Sequence, residues 1–160
     1  MIKYCTDFYE VIPIWQDAFG DSVEDIEFFI DNINHAECLG RFDGDTLVSM
    51  MFIVDCNIKY CSSKYIYAAC TKSNCGGMGY MTELIDFCKE KYDSLCLIPA
   101  TDSLVDFYNK RGFNYNLEIE HISFDETDEI TEYLLEGYEL TVPKALVYER
   151  SEEDGLHFFS

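Results

Sequence analysis

The 160-residue sequence has few basic side chains. It contains 11 lysines and arginines against 31 aspartates and glutamates, which gives a net charge of -20. Because binding to a phosphate backbone depends on clusters of Lys and Arg, we expect neither nucleic acid nor an anionic membrane as a partner. A cationic amine suits the acidic field, although an acidic surface that only keeps the protein dissolved explains the same charge.

Long apolar runs are also missing. The run near Met50, residues 47–54, is interrupted by Ser49 and is far too short to cross a bilayer. The N-terminal segment lacks the basic start and apolar core of a secretory signal. We therefore expect a cytoplasmic protein, and its length and 48% apolar content predict one compact domain over residues 1–160.

The eight cysteines do not have the spacing of a metal site. Neither the pair Cys56 and Cys61 nor the pair Cys70 and Cys75 forms a CxxC motif, and the three histidines are scattered along the chain. Several cysteines lie inside apolar segments, and a chain of this size needs no disulfides to be stable. We expect reduced thiols in the core and no bound metal.

The hydrophobic periodicity predicts a strand, two helices and a β-hairpin in the first third of the chain. Asp43-Gly44-Asp45 is typical of a tight hairpin turn, and Ser22 with Asp25 resembles a capping box at a helix start. The predicted elements are a strand at 2–5, helices near 11–18 and 23–33, and strands at 38–42 and 46–54.

The rest of the chain alternates between strands and helices, which predicts a mixed sheet flanked by helices. The segment 125–139 is strongly acidic, and its apolar residues follow only a weak helical pattern. The predicted elements are a strand at 64–70, a helix from 81, a strand at 95–98, a helix at 103–111, a long strand at about 113–124 and a last strand at 145–148.

A glycine-rich segment, residues 73–79, lies between a predicted strand and a predicted helix. At such a junction, unpaired backbone N–H groups and the positive end of the helix dipole converge and bind phosphate. A dinucleotide-binding fold places GxGxxG after an early strand, whereas this segment follows the hairpin and reads GGxG. A P-loop ends in Gly-Lys-Ser or Gly-Lys-Thr, which is absent. The remaining common interpretation is a site for the pyrophosphate of coenzyme A.

This segment resembles the acyl-CoA motif of the GNAT N-acetyltransferases. That motif has Arg or Gln, two further residues, Gly, one residue, and then Gly or Ala. Gly79 matches its middle glycine, while Gly76 stands at the Arg or Gln position and Met81 at the last small position.

A second segment resembles the later block of the same family. Residues 97–100 and 107–113 are similar to its strand, its Tyr-bearing helix and its Gly-Phe ending, and Tyr108 falls on the position of the family's general acid. Upstream of that Tyr, the family often has Asn and Ala where this chain has Thr101 and Leu104. The likeness covers roughly residues 1–120, and the acidic part from about residue 125 matches poorly.

The resemblance implies an α/β (α+β) domain with a mixed, mostly antiparallel sheet of about six or seven strands flanked by helices. It also implies that acetyl-CoA is the acyl donor and that the acceptor is a primary amine on a small molecule or a protein. Backbone N–H groups would hold the thioester and pantetheine at Ala69, Cys70 and Thr71, and the pyrophosphate at Gly77, Gly79, Tyr80 and Met81.

The reaction asks for a proton donor and a proton acceptor. An amine with a pKa of about 10 must lose a proton before it attacks, and the coenzyme A thiolate must gain one as it leaves. Tyr108, with an ordinary pKa of about 10, is protonated at neutral pH and can donate. The central strand carries no Glu or Asp, so Tyr65, Tyr67, a water chain or Asp55 are the candidates for the base.

The departures from the family pattern leave a second hypothesis open, a non-catalytic GNAT-like module that binds an acyl-CoA or a protein partner. A charge-assisted contact to phosphate contributes about 1.5–3 kcal/mol, so Lys72 or Lys110 would have to replace the cation that is missing at Gly76. Both a monomer and a homodimer are compatible with the sequence. The apolar residues 156–159 would dock on their own domain or on a second subunit.

Overall fold

The computed structural model describes residues 1–150. The chain divides into two compact units, one formed by Met1–Val54 and Ile66–Phe87 and the other by Asp55–Tyr65 and the chain from Cys88 onward. Two long strands pass through both units. The apolar residues 156–159, for which we expect a docking role, lie outside the described residues.

The first unit begins with a strand, two helices and a hairpin, as predicted. The strands β1, β2 and β3 pair antiparallel, with Lys3 opposite Gly40 and Leu39 opposite Met51. Its elements are β1 (Ile2–Tyr4), α1 (Val11–Phe19), α2 (Val23–Asn32), β2 (Ala36–Asp43), most of β3 (Thr46–Ile58), the end of β4 (Cys61–Thr71), a short 3-10 helix (Ser73–Cys75) and most of α3 (Tyr80–Lys91).

An aromatic cluster forms the core of this unit. The ring of Trp15 on α1 packs edge-on against Phe29 on α2 and Phe52 on β3, with ring centroids 5.4 and 5.6 Å apart. The Tyr67 ring on β4 lies 5.0 Å from that of Phe29. Trp15 and Phe29 belong to the apolar faces of α1 and α2, which recur at helical spacing because each helix must cover the sheet. The hydroxyl of Ser22 accepts the backbone N–H of Asp25, which confirms the predicted cap of α2.

The second unit contains the rest of the sheet. Strand β5 runs parallel to β4, with Tyr65 opposite Cys96, and β8 pairs antiparallel with both β5 and β6. Its elements are the end of β3, the start of β4, the end of α3, β5 (Ser94–Leu97), α4 (Asp102–Asn109), β6 (Tyr115–Leu117), β7 (Ile122–Ser123), α5 (Asp128–Leu135) and β8 (Ala145–Glu149).

The hydrogen-bonded strand order is β1-β2-β3-β4-β5-β8-β6, and β7 pairs with the end of β3. The sheet is therefore mixed and mostly antiparallel, which confirms the expected fold class. Eight strands are present among residues 1–150, one more than the upper expectation of seven.

The predicted long strand at 113–124 is wrong, because this segment forms two short strands, β6 and β7, and they account for the higher count. A 3-10 helix at Ile119–His121 interrupts it, so that β6 pairs with β8 whereas β7 pairs with β3. The carbonyl of His121 accepts the backbone N–H of Lys59, which holds the chain at the switch. The alternation of apolar and polar residues indicates which side chains face a core, but it does not indicate which strand is the hydrogen-bonding partner.

Candidate functional site

Strand β4 ends in a distorted backbone. Ala68 has a φ of 55°, a left-handed conformation that costs a non-glycine residue about 1–2 kcal/mol. The alternation of buried and exposed residues is lost there, since Tyr67, Ala68 and Ala69 are all half-buried. A local break of this kind turns the backbone N–H and C=O groups away from the regular ladder. The predicted thioester residues Ala69, Cys70 and Thr71 follow directly.

Ser49 on β3 supports this strand end from inside the core. Its hydroxyl donates to the carbonyl of Cys70 at 3.1 Å and lies 2.9 Å from the hydroxyl of Thr71, and the residue is fully buried. Sequence reasoning gave Ser49 no role. The signal that could have found it is that Ser49 is the one polar residue among the apolar residues 47–54.

The Cys70 side chain is chemically inert in this setting. Burial and, to a smaller extent, the negative charge of Asp17 raise the pKa of its thiol to about 12. The thiol is therefore protonated at neutral pH, so the part of Cys70 that can serve a ligand is its backbone.

The glycine-rich loop follows β4 and opens α3. Gly77 and Gly79 adopt left-handed φ values of 79° and 80°, and an added Cβ on either would meet no atom within 4 Å. The loop is exposed, and the carbonyl of Gly79 accepts the N–H of Glu83, which makes Gly79 the N-cap of α3. Glycine has no side chain to cap the first helical amides. The backbone N–H groups of Tyr80 and Met81, in the first turn of α3, have no acceptor within the helix and lie at the positive end of its dipole.

Lys72 is a cationic residue directly before the glycine-rich segment. Lys72 precedes the 3-10 helix and forms no ion pair with any of residues 1–150, while its backbone N–H donates to Val48. Arg41 also lies close, with its guanidinium 4.6 Å from the ring centre of Tyr80, but it pairs with Glu83 at 3.3 Å. Lys110 belongs to the second unit and pairs with Asp106 at 3.1 Å. Lys72, one of the two lysines proposed from the sequence, directly precedes the glycine loop in the same unit.

Tyr108 lies on α4 in the second unit. Only 7% of its surface is exposed, and its ring packs against Phe107 and Phe113, with ring centroids 5.1 and 5.7 Å away. Its backbone carbonyl accepts the N–H groups of Arg111 and Phe113, so the chain turns back on itself directly after the helix. The block that suggested Tyr108 thus folds into a compact turn around its ring.

The tyrosine candidates for the general base are engaged in the core. The hydroxyl of Tyr65 donates to the carbonyl of Leu134, and a hydroxyl that already donates its proton to a carbonyl is a poor proton acceptor. The ring of Tyr67 packs against Trp15 at 5.7 Å. Asp55, the carboxylate candidate, is 2.5 Å from the ammonium of Lys64. Of the candidates for the general base, a water chain is the one that does not depend on a side chain with such contacts.

The geometry of the strand, the glycine loop and α3 agrees with a comparison of the sequence against protein families. The profile of the Acetyltransferase (GNAT) domain matches residues 5–116. The chain belongs to the GNAT acetyltransferase family. This match includes every predicted site residue, from Ala69 to Tyr108. A comparison with curated proteins finds no match.

Solved structures share the GNAT fold at low sequence identity. An acetyltransferase from Bacillus subtilis, solved in complex with CoA, has a TM-score of 0.62 at 14% identity, over 92% of this chain and 97% of that chain. A protein from Corynebacterium glutamicum, described as histone acetyltransferase HPA2 and related acetyltransferase, has a TM-score of 0.65 at 14% identity over 94% and 96%.

In a third structure, the similar region is one part of a longer protein. A probable N-acyltransferase from Enterococcus faecalis V583 has a TM-score of 0.58 at 18% identity, over 70% of this chain, and the chain spans 31% of its length. These likenesses concern the fold alone. Among residues 1–150, no helix is long and apolar enough to cross a membrane, and no three His, Cys, Asp or Glu residues cluster as metal ligands.

Proposed function

We propose that this GNAT protein is an N-acetyltransferase that transfers the acetyl group of acetyl-CoA to a primary amine by direct attack. The observation that carries the proposal is that the distorted end of β4, the glycine loop and the start of α3 follow one another directly, because the first N–H groups of a helix have no partner within it. Family membership and the CoA complex of the Bacillus subtilis structure support the choice of coenzyme A as the ligand.

In this proposal, backbone groups bind the donor. The N–H groups of Ala69, Cys70 and Thr71 hold the thioester and pantetheine, and those at the start of α3 hold the pyrophosphate. Lys72 supplies the positive charge that the family motif places at the position of Gly76. The acidic protein surface favours a cationic acceptor.

The chemistry removes two protons from the ammonium group of the acceptor and adds one proton to the coenzyme A thiolate. The amine nitrogen, freed of its proton through water, attacks the thioester carbon, and the carbonyl oxygen takes the developing negative charge. When the C–S bond breaks, the attacking nitrogen releases its second proton to water, and the phenol of Tyr108 gives its proton to the coenzyme A thiolate. The phenolate is then reprotonated from solvent.

A non-catalytic acyl-CoA-binding module is the second candidate. It is favoured by the glycine at position 76 and by the contacts that engage Tyr65 and Asp55. Turnover on a panel of polyamines, aminoglycosides and amine-bearing peptides separates the candidates, since a module binds acetyl-CoA and releases no free thiol with any acceptor.

Acetyl-CoA at a hundred times its Kd is expected to stabilise the protein by about 2.7 kcal/mol, because it binds the folded state alone. For a chain of this size the melting temperature rises by roughly 5–10 °C, measured by thermal unfolding. Gly79→Ala strains the loop at a left-handed residue and reduces the shift.

Gly137→Ala is the matched control, since Gly137 has a φ of 85°, equally open surroundings and a place in a different loop. It lowers the melting temperature of the unliganded protein and leaves the acetyl-CoA shift intact. A protein whose unfolding does not respond to millimolar acetyl-CoA is neither the enzyme nor the module.

Ser49→Ala is expected to weaken acetyl-CoA binding several-fold, because the hydroxyl holds the Cys70 carbonyl and the Thr71 hydroxyl in place. Loss of a buried hydrogen bond also costs about 1–3 kcal/mol of stability. Ser63→Ala is the control, since Ser63 is 6% exposed and its hydroxyl lies 2.8 Å from that of Ser94. Titration calorimetry and urea unfolding measure both. Equal losses of affinity in the two variants would contradict a specific role for Ser49.

A further inference from the structure

Two cysteines face each other across the first two strands. The backbone N–H of Cys5 donates to the carbonyl of Cys38 at 2.8 Å, which extends the β1–β2 ladder by one residue and places the two cysteines opposite each other. In a hydrogen-bonded antiparallel pair the Cα atoms are about 5.5 Å apart. Disulfides span about 4.4–6.8 Å between Cα atoms, so the ordinary spacing of such a pair lies within the range that a disulfide bridges.

Gly40 makes room for the Cys5 sulfur. A Cβ at Gly40 would lie 2.8 Å from the Sγ of Cys5 and 2.7 Å from Leu47, closer than such atoms approach. Any other residue at position 40 would displace the thiol from its place beside Cys38. The glycine thus permits the pairing of the two sulfurs.

The two thiols differ in their access to solvent. Cys38 is 3% exposed, whereas Cys5 is half-buried and lines an open cavity of about 410 Å³. The charged and aromatic side chains around this cavity include Lys3, Asp7, Tyr9, Glu10 and Asp45. A small oxidant can therefore reach Cys5 but not Cys38.

The surroundings also separate the two thiols in acidity. The hydrogen bond from Cys38 lowers the pKa of Cys5, and Lys3 lowers it further, while burial and Glu10 act in the opposite direction. The hydrogen bond to Cys5 and burial raise the pKa of Cys38. An accessible thiol with a lowered pKa beside a second cysteine has the features of redox-sensitive sites.

We propose that Cys5 is a site of reversible oxidation by hydroperoxides, and that Cys38 resolves it into a disulfide that joins β1 to β2. The Cys5 thiolate attacks hydrogen peroxide, the O–O bond breaks, and Cys5 becomes a sulfenic acid as hydroxide leaves. The Cys38 sulfur then attacks the Cys5 sulfur, the S–O bond breaks, and water is released with the Cys38 proton. In sum, two thiols and one peroxide give one disulfide and two waters. This inference is independent of acetyl transfer.

A second pair of cysteines provides an internal control. The sulfurs of Cys56 and Cys96 are 3.6 Å apart, but both residues are buried and burial with their mutual hydrogen bond raises the pKa of Cys56. If the distance between the sulfurs alone governed oxidation, Cys56 and Cys96 would form a disulfide as readily as Cys5 and Cys38. Cys61 and Cys75 are half-buried single thiols and report oxidation that depends only on exposure.

The test treats the fully reduced protein with hydrogen peroxide, alkylates the remaining thiols and maps all eight cysteines by peptide mass spectrometry. We expect the peptide linked through Cys5 and Cys38 to appear before any other product, with a rise in melting temperature of roughly 5–10 °C that dithiothreitol reverses. In Cys38→Ala, the sulfenic acid at Cys5 persists and is trapped by dimedone. In Cys5→Ser, Cys38 is still a thiol after the same treatment.

Three outcomes would overturn the proposal. They are earlier oxidation of Cys61 or Cys75, a disulfide between Cys56 and Cys96 at the same rate, and over-oxidation of Cys5 to the sulfinic acid with Cys38 still reduced. Since Cys5→Ser changes only a half-buried residue, its folding is checked by an unchanged circular dichroism spectrum.

Discussion

Tyr108→Phe is expected to lower kcat for acetyl transfer by about 10²- to 10⁴-fold, the usual contribution of a general acid. The substitution keeps the ring that packs against Phe107 and Phe113 and removes only the hydroxyl, so the packing of the ring and the acetyl-CoA affinity should change little. Steady-state kinetics with the best acceptor from the amine panel measure the loss. Without the phenol, the thiolate must take its proton from water.

Tyr148→Phe is the matched control for this prediction. Tyr148 is 9% exposed and its ring lies 6.0 Å from that of Phe113, so it loses a hydroxyl from the same core. We expect its rate to be close to that of the wild type. The pH dependence gives a second readout, because a phenol that donates a proton makes the rate fall above its own pKa, and Tyr108→Phe removes this alkaline limb. A full rate in Tyr108→Phe would show that another group, or water, is the acid.

Gly76→Arg is expected to bind acetyl-CoA about tenfold more tightly, or more. The position has a φ of -64°, which any residue adopts, and a Cβ there meets nothing within 4 Å, so the side chain can be added without strain. A charge-assisted contact to the pyrophosphate contributes about 1.5–3 kcal/mol, and each 1.4 kcal/mol is tenfold in affinity. Titration calorimetry at two salt concentrations measures the gain and its screening.

Gly76→Met separates charge from bulk, since methionine adds a flexible side chain with no charge. Its acetyl-CoA affinity should equal that of the wild type. If Arg and Met have the same effect, the phosphates do not lie at this loop, and the assignment of residues 77–81 to the pyrophosphate is wrong. The result also bears on the non-catalytic hypothesis, because a gain in affinity without turnover on any amine would favour it.

Features with a local cause were predictable from the sequence. The Asp43-Gly44-Asp45 turn, the Ser22 cap and the apolar faces of α1 and α2 each depend on residues that are neighbours in the chain. The glycine loop belongs to the same class, since strand, glycines and helix follow one another directly. The family assignment rested on these local features together with the block around Tyr108, and the match over residues 5–116 confirms it.

Features that depend on contacts between residues far apart in the chain were not predicted from the sequence. Ser49 on β3 contacts Cys70 on β4, and although Ser49 stands out as the one polar residue among residues 47–54, its sequence neighbours do not indicate which group it contacts. The same holds for Cys5 and Cys38, whose pairing follows from the register of β1 on β2. The interruption at Ile119–His121 was missed because hydrophobic alternation continues through a change of partner strand.

The fold family, the order of most elements and the position of the glycine loop were predictable from the amino-acid sequence, because backbone propensity, turn chemistry and helical periodicity act over a few residues. Three facts are visible only in the folded chain: Lys72 forms no ion pair with any of residues 1–150, the Tyr65 hydroxyl donates to the carbonyl of Leu134, and Cys5 lies opposite Cys38. Charge pairing, burial and proton donation depend on which residues meet in space, and strand register and packing set those meetings.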